Sequence, residues 1–339
     1  MRIHILTIAS AWTIFSAQCA WAVIDASLQM QLGNPSGAIA DTNNHDHYLI
    51  QRPVEAIDYS DHLGEPVWAS WDLTAADVGD SGRSASFYTD TNLPPNFYRV
   101  TTTDYNGVGN IAFNRGHLCP SDDRTDNTND NRLVFFMSNI MPQSALNNQS
   151  PWGNFEDYCR SLLSTNELLL ICGGSGFGTN KIPSGKVYIP SNTWKIAVCV
   201  PLGGGTAASR ITTNTRVISI SIPNVTNGLS RAWQTYVTSP QRIEQDTGLT
   251  FFTALPANVA AALRAKVDSA PSFAGITFTN QLFRFTVNGY AGTNYVVQTT
   301  TNLNGGNWIS LTTNAAPFVF VETNLNSFPT RFYRSLIAR

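Results

Sequence analysis

Hydrophobic positions in this chain gather in short runs separated by long polar stretches, and the spacing within each run predicts an element. Residues 23–65 are polar and turn-rich, with GNPSG (33–37) and DTNNHDH (41–47) as loop signals. PVWASWDL (66–73) is aromatic and partly alternating, which predicts a strand. NIAFNRGHL (110–118) predicts a strand running into the string RGH, and RLVFFMSNIMP (132–142) predicts a second, apolar strand. Pro151 suits the first turn of a helix, after which Trp152, Phe155, Cys159 and Leu162 or Leu163 recur at helical spacing. ELLLICGG (167–174), TWKIAVCVPL (193–202) and RVISISIP (216–223) read as buried strands. SPQRIEQDTGLTFF (239–252) and PANVAAALRAKV (256–267) read as two helices around a short connector.

Composition shifts near Pro271. From Phe273 to Arg339 the chain is Thr, Asn, Phe, Val and Tyr with almost no Asp, Glu or Lys. LFRFTVNG, NYVVQTTT, WISLTT and FVFVET fall at hairpin spacing, so 273–339 is expected to be a small all-β, sandwich-like module after a larger domain over 23–270. That size is near the lower limit for an independent core.

The 339 residues are 42% hydrophobic but only 13% charged, a profile suited to an exported, loop-rich protein. Arg2 and His4, the apolar run Ile5 to Phe15 and the string Ala20-Trp21-Ala22 have the order of an export signal, with cleavage expected after Ala22. The apolar run is too short to span a bilayer, and no later segment is long and apolar enough. Removing residues 1–22 leaves Cys119, Cys159, Cys172 and Cys199. An even count in an exported chain permits two disulfides in any of three connectivities. Cys119 and Cys159 flank the candidate site from strand and helix, either as a disulfide or as two buried thiols; Cys172 and Cys199 are then the residual pair. The absence of a CxxC pair argues against structural zinc. A net charge of −2 gives no electrostatic footprint for a polyanion, so any nucleic-acid reading must rest on local cations.

The chemistry concentrates around His117. A strand fixes its direction, Gly116 allows a close approach that a side chain would block, and Pro120 stiffens the exit. With an unperturbed pKa of about 6.5, such an imidazole is a candidate general base. Downstream, Asn148 enters the expected helix, on which Glu156 and Arg160 stand one turn apart. An amide oxygen with solvent around it suits Mg²⁺, with Mn²⁺ as a substitute, and a guanidinium suits phosphate. Together these groups describe hydrolysis of a phosphodiester. HDH (45–47) has no further ligands nearby in sequence and reads as a solvated loop.

NRGHLCPSDDRT followed by SNIMPQ…NNQSPWGNFEDYCRSL resembles the DNA/RNA non-specific endonuclease family, the ββα-metal group of Serratia-type nucleases and mitochondrial endonuclease G. That signature is Asp-Arg-Gly-His on a strand, then a metal-binding Asn four residues before a Trp and eight before a Glu; Asn148, Trp152 and Glu156 keep this spacing, and Asn147 does not. The resemblance spans roughly residues 30–268. It implies an α+β fold with a central antiparallel sheet flanked by helices. It also implies that His117 is the general base, Asn148 the metal ligand, Glu156 a metal contact through water, and Arg160 and Arg83 phosphate contacts. Arg115 contacts phosphate or braces the hairpin, with bracing favoured. Asn114 replaces the family's Asp, keeping an acceptor but losing a charge in the outer shell of the cation.

The expectation is a secreted endonuclease acting on DNA and RNA, leaving 5′-phosphates and reading backbone phosphates more than base edges. Two alternatives are a nuclease fold that binds nucleic acid without turnover, and an adhesin working through a cell-surface or matrix partner of the β-module. Nothing in the sequence fixes an oligomeric state or a preference between DNA and RNA.

Overall fold

The computed structural model describes residues 26–268, 271–280, 282–289, 294–303, 305, 307–323 and 330–338; the expected export segment 1–22 lies outside them. In chain order the larger part carries β1 (Tyr48–Gln51), β2 (Ala56–Ser60), β3 (Glu65–Leu73), β4 (Phe113–His117), α1 (Thr128–Leu133), β5 (Ile140–Ser144), α2 (Ala145–Asn147) and α3 (Gly153–Ser161). It continues with β6 (Asn166–Ser175), β7 (Asn192–Pro201), α4 (Ala207–Arg210), β8 (Arg216–Pro223), β9 (Val237–Thr238), α5 (Pro240–Thr247) and α6 (Ala257–Arg264). Seven strands form one antiparallel sheet in the order β1-β2-β3-β6-β7-β8-β9, while β4 and β5 pair with each other as a separate hairpin.

The central strands are continuous apolar runs because both faces of the sheet are buried. Alternation sorts their side chains. Leu168, Leu170, Cys172, Ala197, Cys199, Ile218, Ile220 and Ile222 enter one core, which the hairpin and α3 cover with Leu118, Cys119, Met141, Trp152, Phe155 and Cys159. Leu169, Ile171, Ile196, Val198, Val200 and Val217 enter the opposite core, covered by Ile243, Leu249, Phe251, Val259 and Leu263. Lys195 shares the parity of Ala197 and Cys199, so it points from β7 toward the hairpin and α3.

Several expectations need correction. The polar stretch 23–65 contains β1, only four residues long, and β2, whose apolar pattern the buried Asp58 interrupts. The apolar run 132–142 is not one strand: α1 ends at Leu133 and only Ile140–Ser144 pairs with β4. Asn127 caps α1 by accepting from the Asp130 amide at 2.9 Å, which turns the chain helical just before that run. The helix after the hairpin starts at Ala145, with the Ser144 hydroxyl accepting from the Asn147 amide at 3.1 Å, and not at Pro151. Pro151 lacks an N–H, and the helix opens there into a wide π turn over Asn148–Trp152 before α3.

The disulfide expectation is also corrected, since Cys119, Cys159, Cys172 and Cys199 are free and buried. Cys172 lies opposite Lys195 and Cys199 opposite Leu168. These are four ladder positions apart, roughly 13 Å along the strand, beyond the reach of a bridge.

The C-terminal region holds β10 (Ser272–Thr279), β11 (Leu282–Asn288), β12 (Asn294–Thr300), β13 (Ile309–Ala315), β14 (Phe318–Glu322) and β15 (Phe332–Ile337). They form two three-stranded sheets, β10-β11-β14 and β13-β12-β15, with Phe285, Val287, Tyr295, Val297 and Phe320 as their core. β10 and β15 are additional to the strands expected from the sequence.

Candidate active site

The β4–β5 hairpin pairs Phe113 with Ser144 and His117 with Ile140. Buried asparagines pin it in place. Asn139 accepts from the Cys119 amide at 3.0 Å and donates to the Cys119 and Val134 carbonyls at 2.9 and 2.8 Å. Asn224 accepts from the Ser144 amide at 2.7 Å and donates to the Pro142 and Pro190 carbonyls at 2.9 and 3.0 Å. Asn147 donates to Thr193 Oγ1 at 3.0 Å, tying the entry of the helix to β7. These amides take the place of backbone partners where the ladder stops.

Gly116 is required by its cross-strand neighbour. A Cβ at this position would lie 1.9 Å from Gln143 Oε1 and 2.6 Å from Gln143 Cγ. The Gln143 side chain is fully buried, and neither of its polar atoms has a hydrogen-bond partner among the described residues.

His117 is buried between Phe87 and Phe135, with ring centroids at 5.3 and 4.7 Å, and its Nε2 has no partner among the described residues. Burial, reinforced by the positive charges of Arg83 and Lys195, pushes its pKa down to about 3. The ring is therefore neutral at physiological pH. The aromatic cradle carries cations. Arg83 lies over Phe135 at 4.9 Å, and Arg115 over Phe87 at 5.4 Å. Arg115 also donates to the Thr102 carbonyl at 3.1 Å, so bracing occupies part of its guanidinium.

The opposite parity of β4 brings Asn114 to the helix. Asn148 Nδ2 donates to Asn114 Oδ1 at 3.3 Å, and Gln149 Nε2 donates to the same oxygen at 3.1 Å. Glu156 and Arg160 do not pair with each other. Glu156 Oε1 accepts from Lys195 Nζ at 2.7 Å. Arg160 donates to Asp123 Oδ1 at 2.8 Å and Asp157 Oδ1 at 2.6 Å, with Asp122 at 3.9 Å. Its guanidinium is thus held by carboxylates, one of which, Asp157, is 76% exposed and readily displaced. His45 and His47 also find partners, Asp61 at 2.8 Å and Asp58 at 2.9 Å, so HDH is a folded pair of His–Asp contacts more than a solvated loop.

The described residues contain no group of three or more His, Cys, Asp or Glu able to hold a metal ion. A soft or four-coordinate protein site is therefore not what this donor set provides. The neutral oxygens of Asn148 and Asn114, one carboxylate on Glu156, and the unpartnered buried atoms of His117 and Gln143 fit a hard cation that keeps most of its water.

A family profile described as DNA/RNA non-specific endonuclease matches residues 34–258. The chain belongs to the DNA/RNA non-specific endonuclease family. A nuclease of Nostoc sp. is 39% identical over 243 residues, covering 72% of this chain and 87% of that protein. A nuclease of Serratia marcescens is 24% identical over 282 residues, covering 81% and 99%. A chain in the crystal structure of the EndoG/EndoGI complex shares the fold, with a TM-score of 0.56 and 20% identity over 70% of this chain and 94% of that one. The α+β, ββα-metal architecture expected from the sequence is the one adopted. Nucleic-acid hydrolysis is the activity of the family to which this endonuclease-like chain belongs.

Lys195 and Gln143 escaped the sequence reading. Lys195 carried a signal, since a lysine interrupts the otherwise apolar TWKIAVCV. Gln143, Asn139 and Asn224 carried none, because polar residues in turn-rich sequence ordinarily face solvent.

Proposed function

We propose that this protein is an exported, metal-dependent endonuclease that hydrolyses phosphodiester bonds of DNA and RNA with little sequence preference. The observation that carries the reading is the His117 ring. It is buried, unpartnered at Nε2 among the described residues, and cradled by Phe87 and Phe135 with Arg115 and Arg83 over those rings. A neutral imidazole takes the proton of an attacking water. Arg83 and Arg115 oppose the charge of the scissile phosphate, and Arg160 reaches it by exchanging its exposed Asp157 contact. Asn148 would hold Mg²⁺ or Mn²⁺, with Glu156 acting through a bound water and Asn114 orienting the Asn148 amide. When bound, the ion supplies charge stabilisation at the phosphorus and at the leaving oxygen. Departure of the 3′ oxygen leaves 5′-phosphates.

Incubation of plasmid and of ribosomal RNA with the purified chain tests this. Cleavage of both with Mg²⁺ or Mn²⁺ and none with EDTA is expected; inertness under every divalent cation contradicts it. Asn114 motivates a second reading, a protein that binds nucleic acid without turnover. Retention of nucleic acid on a filter without cleavage would favour that reading.

Export rests on the pattern Arg2, Ile5 to Phe15 and Ala20-Trp21-Ala22. Among the described residues the strands β10–β15 pair with one another, which supports a separate C-terminal module over 273–339, suited to anchoring on a surface or matrix partner.

A further inference from the structure

We propose that Lys195 is a positioning residue that sets the orientation of Glu156; the inference rests on the functional reading above. Lys195 is wholly buried in the middle of β7, where an ammonium persists only with close partners. It has four. Nζ donates to Glu156 Oε1 at 2.7 Å and approaches the Leu118 carbonyl at 3.5 Å. The ammonium lies over the Trp152 ring at 4.2 Å and the Trp71 ring at 5.2 Å. One carboxylate, one carbonyl and two indole faces therefore enclose it, all drawn from different parts of the site.

The geometry assigns a consequence to each contact. Oε1 of Glu156 is committed to Lys195, while Oε2 accepts from no described side chain and the residue is 14% exposed. One carboxylate oxygen is thereby fixed and the other left for an outer-sphere contact to a hydrated cation. The Leu118 carbonyl follows His117 directly, so the lysine joins the strand of the proposed base to the helix of the proposed metal contact. Trp152 closes the π turn that begins at Asn148, which ties the third element to the same ammonium. Lys195 touches no reacting atom; it acts through Glu156.

A double-mutant cycle with two readouts tests the proposal. Wild type, Lys195→Met, Glu156→Gln and the double variant are compared by Mn²⁺ binding, followed through the electron paramagnetic resonance of free Mn²⁺, and by steady-state cleavage. Lys195→Met is expected to weaken Mn²⁺ by about tenfold and to lower kcat by on the order of 10²-fold, with KM for DNA shifted by less than about threefold. In the Glu156→Gln background the same change should cost less than about threefold in either readout, because its target is gone. A loss of equal size in both backgrounds overturns the proposal and leaves Lys195 a packing residue, as does a Lys195→Met variant that binds Mn²⁺ and cleaves like wild type. If Lys195→Met does not fold, Lys195→Gln runs the same cycle. A wild type that neither binds Mn²⁺ nor cleaves overturns the functional reading, and this inference with it.

Discussion

At the scale of single residues, the site is built from groups whose usual partners are withheld. His117 and Gln143 keep unpartnered polar atoms inside the protein, and such atoms each cost about 1–3 kcal/mol unless something binds them. Asn114 stands where the family signature has an acid, two residues from Gly116 and in contact with Asn148. Asn114→Asp should place a negative charge near the proposed cation. An exposed charge pair at this range contributes about 1 kcal/mol, so the Mg²⁺ concentration for half-maximal cleavage should fall by roughly fivefold. An unchanged or higher requirement would remove Asn114 from the cation's surroundings. Gly116→Ala forces a methyl group onto Gln143 and should destabilise the fold by about 1–3 kcal/mol in urea titrations while lowering cleavage. The placement of His117 on the hairpin and of Asn148 and Glu156 on the helical stretch behind it was legible because two motifs keep a fixed spacing. Lys195 and the tie of Arg160 to Asp123 were not, because their partners lie 39 and 37 positions away in the chain.

At the scale of elements, the hairpin and the helix owe their geometry to side-chain amides as much as to the ladder. Asn139 satisfies both the amide and the carbonyl of Cys119 just past the last strand residue. Asn139→Ala strands buried backbone groups and is expected to cost about 2–4 kcal/mol, read as a lower urea midpoint, with weaker cleavage at matched folded fraction. The apolar spacing of Trp152, Phe155 and Cys159 did place α3 correctly against the sheet. The start of the helical stretch at Ala145, in α2, was hidden because a proline usually marks a first turn, and here a π turn carries the stretch past it into α3. The long strands β6, β7 and β8 were legible as apolar runs; β1 and β2 were not, since β1 is only four residues long and the buried Asp58 interrupts β2.

At the scale of the whole molecule, a sheet covered on both faces supports the hairpin and α3 on one side and leaves charged groups trapped inside. Glu65 is fully buried, and neither carboxylate oxygen has a partner among the described residues. Burial therefore raises its pKa well above 4.5. A carboxyl group with a raised folded pKa gives its full stabilisation below the unfolded pKa and loses it as pH rises toward the folded value. Relative to Glu65→Gln, the wild type should match at pH 4 and then lose up to about 1.4 kcal/mol per pH unit until Glu65 ionises in the folded state. Urea midpoints across pH 4 to 9 check this, and parallel curves for the two proteins would contradict it. Deleting residues 273–339 should leave cleavage within about twofold, since the residues assigned catalytic, metal-binding or positioning roles lie between Arg83 and Lys195.

The most direct test of the central claim is single-turnover cleavage of plasmid DNA in Mg²⁺ by wild type beside His117→Ala, with far-ultraviolet circular dichroism confirming equal folding. A loss of on the order of 10²-fold or more is expected for a removed general base. A His117→Ala protein that cuts at the wild-type rate would contradict the account.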